Sequence, residues 1–65
     1  MTLDDQNKVK AAGLTIIRKD DYPQPRIKVS TGTNGGWETL AKYETKAARD
    51  RAFKALLEND KIISD

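Results

Sequence analysis

The side chains of this 65-residue chain that could do chemistry are mainly carboxylates and cations. The sequence contains no His and no Cys, which removes the commonest general base, the thiol nucleophile and the usual zinc ligands. Two pairs of adjacent carboxylates remain, Asp4-Asp5 and Asp20-Asp21. Acid–base work needs burial that separates the two pKa values of such a pair, and both pairs lie in polar segments. We interpret the first as a helix start and the second as a solvated turn, and we expect no catalytic site.

A glycine-rich segment, Thr-Gly-Thr-Asn-Gly-Gly, covers residues 31–36. A loop that cradles phosphate also needs a Lys and the start of a helix, and this segment has neither, so we interpret it as a loop or turn. The carboxylates are scattered and do not form the organised loop that a hard cation prefers. The sequence therefore predicts no cofactor, no metal ion and no small-molecule substrate.

Binding is better supported than catalysis, and the evidence begins with one strand. Residues 26–31 alternate polar and apolar side chains, which is typical of a strand with one buried face and one wet face. If Ile27 and Val29 point toward a core, Arg26 and Lys28 must point outward. The sequence therefore predicts a basic row on the outer face of a sheet, unless this row is an ordinary solvated surface.

Aromatic residues could join that outer face. If Leu40 is the inward residue of the next strand, Trp37, Thr39 and Tyr43 face outward. An aromatic and basic sheet face can contact phosphates and stack on bases. Alternatively, Trp37 and Tyr43 belong to the core, which has few other large side chains. The residues predicted to bind nucleic acid or another partner are Arg18, Arg26, Lys28, Trp37, Lys42 and Tyr43.

Local signals place these residues on a small set of elements. Thr2 and Asp5 have capping-box spacing and Gly13 suits a left-handed stop, which predicts a short helix over about 3–12. Strands are predicted over 14–19, 26–31 and 37–44, the last two joined at Asn34-Gly35, a hairpin-turn pair. Thr45 is a suitable N-cap for an amphipathic helix over 46–58, and the chain closes with an apolar pair that can join a sheet edge.

This order predicts a single small α+β domain over residues 1–65. It contains a three-stranded antiparallel sheet, a C-terminal amphipathic helix packed on one face, a short N-terminal helix and a short C-terminal strand at a sheet edge, in the order α-β-β-β-α-β. The predicted core is Leu14, Ile16 or Ile17, Ile27, Val29, Leu40 or Trp37, Phe53, Leu56 and Ile62.

Three strands that lead into Tyr43-Glu44-Thr45-Lys46-Ala47-Ala48 and an amphipathic helix resemble the small DNA-binding domains at the N-termini of phage and transposon integrases. In that family an aromatic-x-Thr-Lys pattern often opens the helix and the sheet enters the major groove. The resemblance implies DNA contacts at Arg26, Lys28 and Trp37. This chain departs from the family by a helix before the sheet and a strand after it. The helix, three strands, helix order also resembles double-stranded RNA-binding domains, without their loop and clustered-lysine signatures.

Two functions fit these features about equally. The first is a nucleic-acid-binding accessory protein, of the kind that a phage or mobile element encodes, consistent with a net charge of +2. The second is a protein-interaction module, such as a small inhibitor, an adaptor or a homodimer, acting through a sheet edge or face.

The missing cysteines and the absence of a signal-peptide pattern predict a cytoplasmic location. The apolar runs are too short to cross a membrane.

Overall fold

The computed structural model of the chain describes residues 2–30 and 36–65. Its elements are, in order, α1 (Leu3–Ala11), β1 (Thr15–Asp20), β2 (Arg26–Ser30), β3 (Trp37–Lys42), α2 (Lys46–Leu57) and β4 (Ile62–Ser64). The α+β fold class and the α-β-β-β-α-β order are therefore confirmed. The predicted hairpin turn at Asn34-Gly35 lies outside the described residues.

The four strands form one sheet in the order β3-β2-β1-β4. As predicted, β1 pairs with β2 and β2 with β3 in antiparallel fashion. β4 instead runs parallel to β1, with Thr15 opposite Ile62 and Ile17 opposite Ser64, so the sheet is mixed. β3 and β4 run in the same direction, and α2 is the crossover that connects them, because parallel strands cannot be joined by a tight turn.

The main core lies between α2 and one face of the sheet. Ile17, Ile27 and Phe53 form its buried centre, and full burial of each such side chain contributes roughly 1.5–3 kcal/mol. This arrangement confirms that α2 packs on one face and that the apolar residues of β2 turn toward it. The partly buried residues around the centre are Val29, Tyr43, Ala52, Leu56, Leu57 and Ile62.

The opposite face of the sheet is covered by α1 at one end. Ile16 is fully buried but points away from α2, because neighbouring side chains of a strand alternate. α1 contacts β1 and covers this end of the face, with Gln6 also buried. The sequence predicted a core position for either Ile16 or Ile17. Both are buried, because β1 is an inner strand with a helix on each side.

Both helices start at the predicted signals, and α1 also ends at its predicted signal. The Thr2 hydroxyl accepts a hydrogen bond from the Asp5 N–H at 3.1 Å, and the Thr45 hydroxyl accepts one from the Ala48 N–H at 3.1 Å. Gly13 has φ +87°, the left-handed geometry that favours glycine after a helix. Local capping chemistry therefore sets both helix starts and the end of α1.

Candidate functional site

The sheet face turned away from α2 brings most of the predicted binding residues together. Arg18 lies opposite Lys28 and Arg26 lies opposite Lys42 in the strand pairing. Directly paired residues share a face, and Ile27, between Arg26 and Lys28, points into the core. All four cations therefore belong to the same side. We call this surface the basic face, formed by Arg18, Asp20, Arg26, Lys28, Ser30, Trp37, Thr39, Lys42 and Asp65.

A bulge in β3 decides which of its residues reach the basic face. The pairing of β3 with β2 shifts register between Ile27 and Lys28 and leaves Leu40 without a partner. Strict alternation would place Trp37 and Lys42 on opposite faces, but the extra residue brings both onto the basic face. Leu40, an alternative core residue in the sequence analysis, is 49% exposed. That prediction is wrong because the bulge lifts Leu40 out of the packing.

Arg18 and Trp37 meet across the basic face. The guanidinium carbon of Arg18 lies over the Trp37 ring, 4.0 Å from its centroid, a cation–π contact that reaches from β1 over β2 to β3. The Arg18 side chain is 43% exposed and comes within 3.9 Å of the Asp65 carboxylate. Trp37 is half-buried. The pair therefore joins a cation and an aromatic ring that are both partly exposed on the basic face.

The remaining cations of the basic face differ in accessibility. Lys42 is exposed, and Lys28 is half-buried with its ammonium 3.7 Å from Asp20. Arg26 is only 9% exposed, so the expectation that it projects into solvent is wrong. Its Nε donates a hydrogen bond to the Gln24 carbonyl oxygen at 3.2 Å, which turns the guanidinium back onto its own chain.

Tyr43 does not belong to the basic face. Its side chain packs against the core centre, as the alternative interpretation in the sequence analysis expected. The Tyr43 N–H donates to the Pro25 carbonyl at 2.8 Å, and the Gln24 side-chain amide donates to the Tyr43 carbonyl at 3.3 Å. These bonds continue the β2–β3 pairing beyond the strand ends and hold the ring on the α2 side.

Charge is distributed unevenly over the molecule. The basic face holds four cationic side chains and two carboxylates, an excess of two positive charges. This excess equals the net charge of the whole chain, +2, so the rest of the chain is formally neutral. The folded protein therefore concentrates on one surface a charge that is spread thinly along the sequence.

Ser30 lies beside Trp37, and its hydroxyl is buried. The two residues are direct partners in the β2–β3 pairing. Ser30 is 8% exposed, and its Oγ has no hydrogen-bond partner in the part of the chain that the structure describes. Most buried polar atoms in proteins do have a partner, so this enclosed hydroxyl is an exception among the described residues.

One important charged residue was missed by the sequence analysis. Arg49, on α2, is buried and donates hydrogen bonds to Asp21, to the Asp20 carbonyl oxygen and to Asp50. The bond to Arg49 lowers the pKa of Asp21 and also that of Asp50. The Asp20-Asp21 segment is therefore an anchored connection and not only a solvated turn. Arg49 lies one helical turn before Phe53, on the apolar side of α2, and this position was a sequence signal that Arg49 is buried.

Comparisons with protein-family models, with curated proteins and with solved structures found no match. The resemblance to integrase DNA-binding domains and its implied contacts therefore stay predictions. Within residues 2–30 and 36–65, no helix combines the length and apolar character that a bilayer crossing requires.

Proposed function

We propose that this protein binds nucleic acid through the basic face. The observation that carries the proposal is the location of the chain's excess positive charge, together with its single Trp, on a sheet face that α2 leaves uncovered. Cationic side chains bind phosphates by displacing condensed counterions, and aromatic and guanidinium planes stack on bases. Cores of protein–protein contacts are depleted in charged residues, so a surface of this composition suits a polyanion better.

The ion pairs on the basic face leave its cations available to phosphate. Lys28 and Asp20 are 3.7 Å apart, and Arg18 and Asp65 are 3.9 Å apart. Both pairs lie at the surface and are only partly exposed, and surface ion pairs contribute about 0–1 kcal/mol. A phosphate can therefore replace either carboxylate at little cost, and Lys42 adds a third accessible cation.

A protein-interaction module is the second candidate, and one groove favours it. The groove has a volume of about 440 Å³ and opens where β4 ends beside β1, lined by Arg18, Lys19, Phe53, Ser64 and Asp65. The outer edges of the sheet are less suited to strand addition. β3 carries the bulge at Leu40 and β4 has only three residues, and bulged or short edges resist pairing with another chain.

Fluorescence anisotropy with labelled oligonucleotides, at low and high salt, tests the proposal. With three accessible cations, log K should fall with log salt with a slope of about −2 for a single strand, because each phosphate contact contributes roughly −0.7. Binding that is absent, or unaffected by salt, would overturn the proposal. Light scattering of the protein alone tests the homodimer form of the second candidate.

A charge-matched pair of double variants localises the site. Lys28→Ala with Lys42→Ala removes two cations of the basic face and should weaken binding about ten-fold while reducing the magnitude of the salt slope by about 1.4. Arg51→Ala with Lys54→Ala removes two exposed cations of α2 and should change the affinity less than two-fold. Equal losses from the two double variants would show that the basic face is not the site. Far-UV circular dichroism verifies that each variant is folded.

A further inference from the structure

The Arg18 side chain stays partly exposed while it contacts Trp37. The guanidinium lies over one side of the indole, 4.0 Å from the ring centroid, and the Arg18 side chain is 43% exposed. Guanidinium planes stack on nucleobases as well as on aromatic rings. A base can therefore extend this stack outward without disturbing the packing beneath it.

A duplex does not present free base faces to the Arg18–Trp37 pair. In a duplex each base face is already stacked, and a protein reaches it only by unstacking the helix. Single strands present their base faces freely.

We infer, building on the proposed function, that the ligand is single-stranded nucleic acid. One base stacks on the Arg18–Trp37 pair, and neighbouring phosphates contact Lys28 and Lys42. Arg18 gives up its 3.9 Å approach to Asp65, a long contact that costs little to lose.

Intrinsic fluorescence tests this inference, because Trp37 is the single Trp of the chain and lies at the proposed contact. The wild-type protein is titrated with three probes of equal length: oligothymidylate, a strand with the same backbone and abasic sites, and a mixed-sequence duplex. Anisotropy of labelled probes measures affinity independently. Oligothymidylate should quench Trp37 and bind about ten-fold more tightly than the abasic strand, the effect of one stacked base.

Two variants separate stacking from charge. Arg18→Lys keeps the charge but loses the planar guanidinium, so it should abolish most of the preference for oligothymidylate over the abasic strand and keep the salt slope. Trp37→Ala should do the same, and Trp37→Phe should retain most of the preference because it keeps an aromatic ring. Arg18→Lys keeps the test decisive if Trp37→Ala fails to fold.

The outcomes distinguish this inference from the proposed function. Equal affinity for oligothymidylate and the abasic strand without quenching, or tighter binding of the duplex, would overturn the single-strand inference. Salt-dependent binding in those cases would still support the proposed function. Failure of all three probes to bind at low salt would remove both.

Discussion

Nη1 of Arg49 lies 2.6 Å from Oδ1 of Asp21, and this ion pair joins α2 to the connection between β1 and β2. The pair is asymmetric, since the Arg49 side chain is 5% exposed and that of Asp21 is 58% exposed. Nη1 also donates to the Asp20 carbonyl at 2.8 Å, and Nε donates to Asp50 at 2.9 Å. A buried guanidinium satisfied by three oxygens positions the end of β1, and with it one end of the basic face.

Replacement of Arg49 by Ala should destabilise the fold. The change removes three hydrogen bonds, leaves the Asp20 carbonyl oxygen without the Arg49 donor, and opens a gap beside the first turn of α2. We therefore expect Tm to fall by roughly 5–15 °C. Arg49→Lys should recover only part of the loss, because an ammonium cannot reproduce the guanidinium fork. Arg51→Ala, an exposed change on the same helix, is the control. Thermal denaturation that finds the two Ala variants equally stable would contradict the role given to Arg49.

Stability should decrease in acid because of the same cluster. The hydrogen bond from Arg49 is the main cause that lowers the pKa of Asp21 and of Asp50 below the ordinary value of 3.8. A carboxyl whose pKa is lowered by folding stabilises the protein above its unfolded pKa, and this contribution is lost as pH falls through the folded pKa. Tm should therefore be nearly constant from neutral to weakly acidic pH and decrease below about pH 4.

The double variant Asp21→Asn with Asp50→Asn checks the assignment of that acid dependence. It should have a lower Tm at neutral pH and a flatter decrease below about pH 4. Tm of the wild type and of the double variant, measured over the same pH series, tests this assignment. An unchanged acid profile in the double variant would mean that other carboxyls are responsible.

Core truncations should separate buried from exposed aliphatic residues. Ile27→Ala should cost about 2–5 kcal/mol and Phe53→Ala about 3–5 kcal/mol, because each leaves a cavity in the packing against α2. Leu40→Ala removes the same kind of side chain from an exposed bulge and should cost less than about 1 kcal/mol. Urea denaturation gives the three values. A cost for Leu40 comparable with that for Ile27 would place Leu40 in the core.

Under the proposed function, removal of a carboxylate from the basic face should strengthen nucleic-acid binding. Asp20 lies 3.7 Å from Lys28 and would compete with a bound phosphate, so Asp20→Asn should raise the affinity by about two- to five-fold, the value of a surface ion pair. Asp60→Asn makes the same change in net charge at an exposed position after α2. If anisotropy finds equal gains for the two variants, net charge explains the effect and the contact between Asp20 and Lys28 does not.

Part of the basic face could be predicted from the sequence, because the alternation of side chains along a strand depends only on neighbouring residues. Alternation in β2 assigns Lys28 to the face opposite Ile27 without knowledge of any other element. The positions of Trp37 and Lys42 could not be predicted in this way, because one unpaired residue, Leu40, reverses the alternation of half a strand. The burial of Arg26 depends on a hydrogen bond to the Gln24 carbonyl, a contact that the pattern of residue types does not encode.

The sequence by itself determined the elements, their order and the caps that begin the helices at Thr2 and Thr45, because these features depend on neighbours a few residues apart. The tertiary structure decided the parallel placement of β4, the bulge at Leu40 and the burial of Arg49. Each of these features depends on groups that are far apart in the chain and meet only when the sheet and the helices pack. The local sequence is compatible with more than one arrangement, and the packing selects one of them. The concentration of positive charge on one face follows from that selection.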